Sequence, residues 1–378
     1  MASPPELNIP SSTSTVNVSI INTTGTILGL DPQRFFGPKI PGHDYMGAPI
    51  YSFLIQHPVL NRTIVFDLGL RKDHWNWPPH FVQGLKAAGA TLIVPKDVRD
   101  VLDENGVDAK GIEAVVWSHA HLDHTGDPAR FEKSTTLIVG PGCKKEMFPG
   151  YPANPEAHFI LEADYAGRNV KELEFAPSGP KVGKFPAVDY FGDGSFYFLD
   201  APGHCIGHVC GLARVTSNPD SFILMGGDAV HHDGELRPSH WLPLPDKISP
   251  HPFLPQSATP CPGELFDKIL RDGKEQPFYV PSPSSAGSQV VHFDSAEATE
   301  TIKKLQEIDA HENILVVPAH DQYLLGVVDF FPKLANDFTK KGWVKKARWM
   351  FLADFAKAVG YEGKIEAVGD YAPPPTKE

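Results

Sequence analysis

Four apolar runs in this chain each finish in a histidine or an aspartate. They are "EAVVWSH" (residues 113–119), "FYFLDAPGH" (196–204), "FILMGGD" (222–228) and "ILVVPAH" (314–320). Runs rich in β-branched and aromatic residues, bounded by Gly, Pro and Asn, form strands. The pattern therefore describes strands that end in metal-competent side chains. Strand ends on one edge of a sheet sandwich converge on a point and mount their side chains on rigid elements. The expected fold is α/β, with one functional edge assembled from sequence-distant pieces.

Further β-rich runs lie at 14–22, 50–57, 62–69, 91–94, 135–140 and 208–215. Helical patterns fall at 79–89, 97–106 and 294–310, the last with a cap at Asp294 or Ser295 and acidic residues in its first turn. Two more are expected at 331–339 and 345–359, and the tail from Asp370 reads as frayed. No repeat of 20–50 residues is visible.

At 378 residues the chain is long for one domain, yet α/β folds of this length form single units with insertions. Hydrophobic residues make up 41% and charged ones 21%, enough for a sizeable core. Proline stands out: 37 residues, about twice the usual share. Many fall in "PLPDKISPHPFLPQSATPCP" (243–262), which predicts long fixed loops.

The net charge of −12 argues against a nucleic-acid partner, because phosphate neutralisation needs a basic face. The local "KKGWVKKARW" (340–349) fits the solvated side of a helix. Four cysteines with no CxxC pair read as reduced thiols. The first residues carry no charged n-region or apolar h-region, and no apolar run reaches the roughly 18 residues of a membrane span. The expected setting is soluble and cytoplasmic, with no membrane partner.

"WSHAHLDHTGD" (117–127) concentrates the chemistry. Alternate residues leaving a strand share a face, so His119 and His121 are expected to point the same way. The turn that follows aims Asp123 and His124 at a neighbouring point. The other strand ends add His204, Asp228 and His320. Two sites follow: His119, His121 and His204 in one, and Asp123, His124 and His320 in the other, with Asp228 bridging. Imidazole and carboxylate ligands suit zinc and also accept manganese, iron or cobalt.

The ordered set H-x-H-x-D-H, PGH, GGD and PAH resembles the metallo-β-lactamase superfamily over about residues 45–325. That resemblance implies a four-layer αββα sandwich. It makes the chain a single domain, 1–378, with an N-terminal extension, a Pro-rich insert at 231–262 and C-terminal helices at 330–360. It also implies that Asp67, in "IVFDLG", braces the metal loop from outside the ligand set. With seven ligand positions and no cysteine among them, the chain is similar to the N-acyl homoserine lactonase and glyoxalase II branch. Bacterial homoserine lactonases carry a tyrosine three residues after the bridging aspartate. Here that position is His231, followed by His232; either could donate a hydrogen bond to substrate, or be a surface histidine. The aromatics Phe36, Tyr45, Trp75, Trp77, Trp241 and Phe253 are candidates for a pocket lining, though each alone is more often core.

The expected activity is opening of a small lactone or lactam ring by a metal-bound hydroxide that attacks the carbonyl, with two divalent ions as cofactors and zinc the leading choice. Asp123 would carry the proton to the leaving group. The overall layout is similar to fungal members that include γ-lactamases opening benzoxazolinone-type plant defence compounds, a form of xenobiotic detoxification. Two rivals remain open: a glyoxalase II-like thioesterase, and a persulfide dioxygenase with one iron. The sequence leaves the oligomeric state unknown.

Overall fold

The computed structural model describes residues 3–87, 89–283 and 291–366. Two sheets face each other. The first has seven strands in the order Thr91–Ile93, Asn17–Leu30, Met46–His57, Arg62–Phe66, Ile112–Val116, Thr136–Val139 and Val170–Glu172. Its early pairs are antiparallel, and its pairs from Arg62–Phe66 onward are parallel. The second has six strands: Ile314–Pro318, Ser221–Gly227, Val209–Thr216, Phe196–Asp200, Phe185–Asp189 and Lys181–Val182. Only the pair of Ile314–Pro318 with Ser221–Gly227 is parallel there.

Side chains alternate across each strand, and both faces are covered, which is why these strands are near-continuous apolar runs. Phe66 and Val116 of the first sheet join Phe198, Ile223, Met225 and Val317 of the second in the central core. Their neighbours Val65 and Val115 point outward, onto Val98 and Leu102 of the helix Val98–Glu104. Leu212, Leu224 and Val316 point outward from the second sheet, onto Ile302, Leu305 and Ile308 of the helix Ser295–Asp309. The result is the αββα layering expected from the resemblance. Asp294 caps the long helix by accepting from the N–H groups of Ala296 and Glu297. Among the described residues, no helix is long and apolar enough to cross a membrane.

Several expectations fail in instructive ways. The expected helix at 331–339 is only Phe338–Lys341. The stretch before it runs beside the strand edges, where Asn336 accepts from Val18 N and donates to Val16 O and Val215 O. Those bonds stitch one sheet to the other, and helix formation would forfeit them. The expected helix at 345–359 breaks into Trp343–Ala347, the 3-10 segment Met350–Phe355 and Ala356–Val359. The strand expected at 14–22 runs to Leu30, with register shifts on the way. Three strands of the two main sheets went unanticipated: Val170–Glu172, Lys181–Val182 and Phe185–Asp189. The tail from Asp370 lies outside the described residues.

The Pro-rich insert is a long loop, as expected, with one side fixed by burial. Its Leu244, Ile248 and Phe253 are buried with Phe36 and Met46 from near the N-terminus, Phe278, and Phe351 and Phe355 from the C-terminal segment. Three distant segments thus build a second core, a cap beside one edge of the sandwich.

Candidate metal centre

Strands of both sheets release their chains at this edge. The strand Ile112–Val116 ends three residues before His119, so strand alternation does not orient His119 and His121 as the sequence implied. Hydrogen bonds do instead. Trp117 Nε1 donates to Thr125 O at 2.9 Å, closing the loop on itself. His121 stands at the N-cap of the short helix Leu122–Thr125, which raises Asp123 and His124 toward the same point. Gly126 follows with φ of 48°, and a Cβ there would lie 2.5 Å from Leu68 O, so only glycine lets the loop turn this close. From the second sheet, Asp228 leaves the strand Ser221–Gly227 directly, while His204 and His320 follow their strands by a few residues.

All seven predicted ligand positions come together, in two groups sharing Asp228. In the first, His204 Nε2 lies 3.2 Å from His119 Nε2 and 2.9 Å from His121 Nδ1. Ligand atoms around one tetrahedral zinc are about 3.3 Å apart. In the second, His320 Nε2 is 3.4 Å from Asp123 Oδ2, and His124 Nε2 is 3.9 Å from Asp123 Oδ1. Asp228 divides its oxygens between them. Oδ1 lies 3.0 Å from His124 Nε2 and 3.1 Å from His320 Nε2, while Oδ2 lies 3.5 Å from His204 Nε2 and 3.7 Å from His119 Nε2.

Outer partners fix which nitrogen faces inward. His124 Nδ1 pairs with Asp67 Oδ2 at 2.8 Å, and Asp67 Oδ1 accepts from Ser118 N at 2.6 Å. Asp67 therefore braces the loop as the resemblance implied, from a left-handed φ of 60°. His320 Nδ1 donates to Pro49 O at 2.8 Å, and Ser118 Oγ lies 3.0 Å from His119 Nδ1. His208 donates through Nδ1 to Ala201 O and accepts Asp228 N at Nε2, so it orients the bridging residue through its backbone.

Electrostatics separate the groups. Burial and neighbouring imidazoles hold His119 and His204 well below the ordinary histidine pKa, and burial takes His121 down to about 4. These rings are neutral, with lone pairs available. Burial opposes charge on His124 too, but Asp228, Asp67 and Asp123 outweigh it and hold its pKa well above the usual value. Asp228 is held well below the carboxylate range: burial opposes its charge, and His124 and His320 overcome that. Buried polar atoms normally have partners, yet His124 Nε2 and Asp228 Oδ1, though facing each other, make no well-formed hydrogen bond. Nitrogens crowded at contact distance in the first group, and imidazoles set against carboxylates in the second, are donor sets that fit divalent cations in a buried place.

The flanking histidines differ from each other. His231 is buried, with Nε2 3.3 Å from Asp228 Oδ2 and its ring 4.9 Å from that of Phe35. It is not among the residues that line the main cavity, and its burial rules out the surface alternative for it. His232 turns away: Nε2 pairs with Asp354 at 3.0 Å and Nδ1 accepts from Gly234 N. Sequence reasoning missed His292, whose ring lies 5.2 Å from that of His231. In sequence it follows only two valines, in "VVHFD", too short a run to be read as a strand end.

A cavity of about 450 Å³ opens onto His121, Asp123, Asp228 and His320. Its other walls are mostly apolar, with Ile27, Leu30, Met46, Leu85 and Leu92 among them, and Phe35 and Phe81 as its aromatics. None of the six expected pocket aromatics lines it. Phe36 and Phe253 are buried in the cap and Trp77 under the first sheet, while Trp75 is 68% exposed. Tyr45 lines a different cavity, and Trp241 packs on His240.

The comparisons bear on the family and the fold. A family profile described as the Metallo-beta-lactamase superfamily matches residues 47–320. Gamma-lactamase FDB1 of Fusarium pseudograminearum is 42% identical over 376 residues, covering 97% of this chain and 89% of that one. Metallo-hydrolase mfmC of Annulohypoxylon moriforme is 43% identical over 361 residues, covering 94% and 92%. A solved structure of B. thuringiensis AiiA with N-decanoyl-L-homoserine at its active site superposes with a TM-score of 0.53 at 16% identity, covering 85% of this chain and 99% of that one.

Proposed function

Because the chain belongs to the metallo-β-lactamase superfamily of hydrolases, we propose that it is a dinuclear enzyme opening a small lactam or lactone ring, with a γ-lactam fused to an aromatic ring the leading substrate. The observation that carries this reading is Asp228, with one oxygen toward each ligand group at the end of an apolar cavity. The 42% identity to a γ-lactamase supports the lactam over the lactone. Two bound divalent ions, zinc by preference, would polarise a carbonyl and bring a water's pKa from about 15.7 to about 7.

The chain's own residues do the rest. The apolar walls exclude bulk water and orient the ring, so that its carbonyl meets the polar end. Asp123 lines the cavity, where it can take a proton from the attacking water and pass it to the departing ring atom. His231 acts through Asp228 and is a positioning residue on this reading. We also read the chain as one domain, because insert and C-terminal segment bury their apolar faces beside the metal edge. All four cysteines are free, which fits the reducing cytoplasmic setting proposed for it; a detoxifying role is proposed from the likeness to γ-lactamases.

The test is metal content per chain by mass spectrometry, followed by a panel of lactams, lactones and thioesters. Two equivalents with ring opening are expected. A single iron with oxygen uptake on persulfides, or turnover of thioesters alone, would overturn the reading.

A further inference from the structure

One wall of the cavity is the helix Pro79–Ala87. His80, Phe81, Gly84 and Leu85 line the space, and spacings of three and four residues put them on one helical face. The apolar stripe of a helix is normally covered by a core. Here no residue of the helix is fully buried. Phe81, Val82 and Leu85 are half-buried against the cluster that holds Leu70 and Trp77, and the cavity takes up the rest of that face.

Gly84 is the anomaly on that face. Glycine in a helix interior costs stability relative to alanine, and a left-handed backbone or a close neighbour is what usually demands it. Neither operates. Its backbone is helical, and a Cβ built on it would meet no atom within 4 Å. What remains is the space itself. The other walls include Ile27, Leu30, Met46 and Leu92, and His121, Asp123, Asp228 and His320 form the polar end. The cavity volume of about 450 Å³ lies within the roughly 300–1,000 Å³ of pockets that enclose drug-sized ligands. A small ring held at the polar end therefore leaves room beside the helix.

We propose that Gly84 is a specificity-determining residue, whose missing side chain admits an apolar substituent carried by the hydrolysed ring. The substrate class is a lactam or lactone bearing a chain or second ring of several carbons, which completes the covering of the helix face. Phe81 and Leu85 supply the burial, and Gly84 supplies the clearance. This rests on the cavity being the substrate site of the ring-opening hydrolase.

The probes are γ-valerolactone and γ-nonanolactone, which share a ring and differ only in chain length, and their ring-opened acids as ligands in calorimetry. Wild type, Gly84→Ala and Gly84→Leu are compared as metal-loaded protein. For Gly84→Leu the ratio of kcat/KM for the long lactone to that for the short one should fall about tenfold or more, through KM. The affinity ratio of the two opened acids should fall alike, as expected for about two methylenes losing their burial. Gly84→Ala should show a smaller fall in the same direction, and its unfolding midpoint should rise by about 1 °C because alanine suits a helix better. Unchanged ratios in Gly84→Leu would overturn the assignment. So would a lowered midpoint in Gly84→Ala, which would mean that the glycine serves the fold. The calorimetry needs no turnover. Selective loss of the longer acid there, without hydrolysis of any ring, would sink the proposed activity and leave Gly84's role standing.

Discussion

The metal edge and the cap beside it are held together by different forces. At the edge, ligand-capable side chains follow the strand ends, and named hydrogen bonds aim three of the seven: Asp67 on His124, Pro49 O on His320, Ser118 on His119. In the cap, three distant segments share an aromatic and aliphatic core around Phe36, Phe253 and Phe355. The two regions meet at consecutive residues. His231 faces Asp228, and His232 faces Asp354 in the cap. Orientation at the edge depends on direction and distance, whereas the cap depends on volume. Chemistry and stability should therefore separate under mutation.

The widest separation is expected from Asp228→Ala. It removes the oxygens that face both ligand groups, so metal content should fall below one equivalent and activity by on the order of 10³-fold or more. Far-UV circular dichroism should still report a folded sandwich. Two tightly held metals in that variant would show that the groups do not share Asp228. Asp67→Asn should be milder, since it keeps the shape but weakens the pull on His124 Nδ1. Metal affinity should drop about 10–100-fold in a chelator competition, with KM little changed. An unchanged affinity would make Asp67 a loop brace only.

These regions also differed in how much could be read in advance. The convergence of the seven candidate ligand positions was legible because four of them, His119, His204, Asp228 and His320, close apolar runs, where a histidine or aspartate has few inexpensive structural uses. The sandwich followed from the same runs. The cavity was not legible, because a side chain lining a space and one filling a core look alike in sequence. Phe35 and Phe36 are adjacent and both belong to the cap's core, yet only Phe35 also lines the cavity. Apolar spacing at 331–339 also misled, since Asn336 offers the edges of both sheets hydrogen bonds that no helix would provide. His231 and His232 were indistinguishable until Glu235 and Gly234 set their directions. Glu235 accepts from both backbone N–H groups, and Gly234 N bonds the His232 ring.

Phe355→Ala tests the cap from the other side. The ring is fully buried among Phe278, Tyr279 and Phe351, so the cavity left behind should cost about 3–5 kcal/mol in denaturant unfolding. Metal content should stay at the wild-type value. Loss of metal in proportion to stability would mean that cap and edge fold as one unit and that the separation is wrong.

The smallest effect is a pH dependence lodged in the cap. His43 is buried against Phe36, Tyr279, His232 and Phe355, and its Nδ1 bonds the Tyr279 hydroxyl at 2.8 Å. Asp354, Asp44 and His232 are the charged and titratable groups facing it. Burial dominates them and takes its pKa from 6.5 down to about 4. As pH falls below 6.5 the unfolded chain takes up this proton first, so the stability tied to the neutral ring is complete above that value and drains away toward pH 4. The ceiling is about 3 kcal/mol. His43→Asn keeps a short polar group and cannot titrate there, so its unfolding free energy should change less than wild type's between pH 7 and 4.5. Chelated protein should show the same difference between the two chains, because His43 stands apart from the ligand groups. If both chains lose stability in parallel, the acid sensitivity lies at the metal edge, and the cap contributes shape alone.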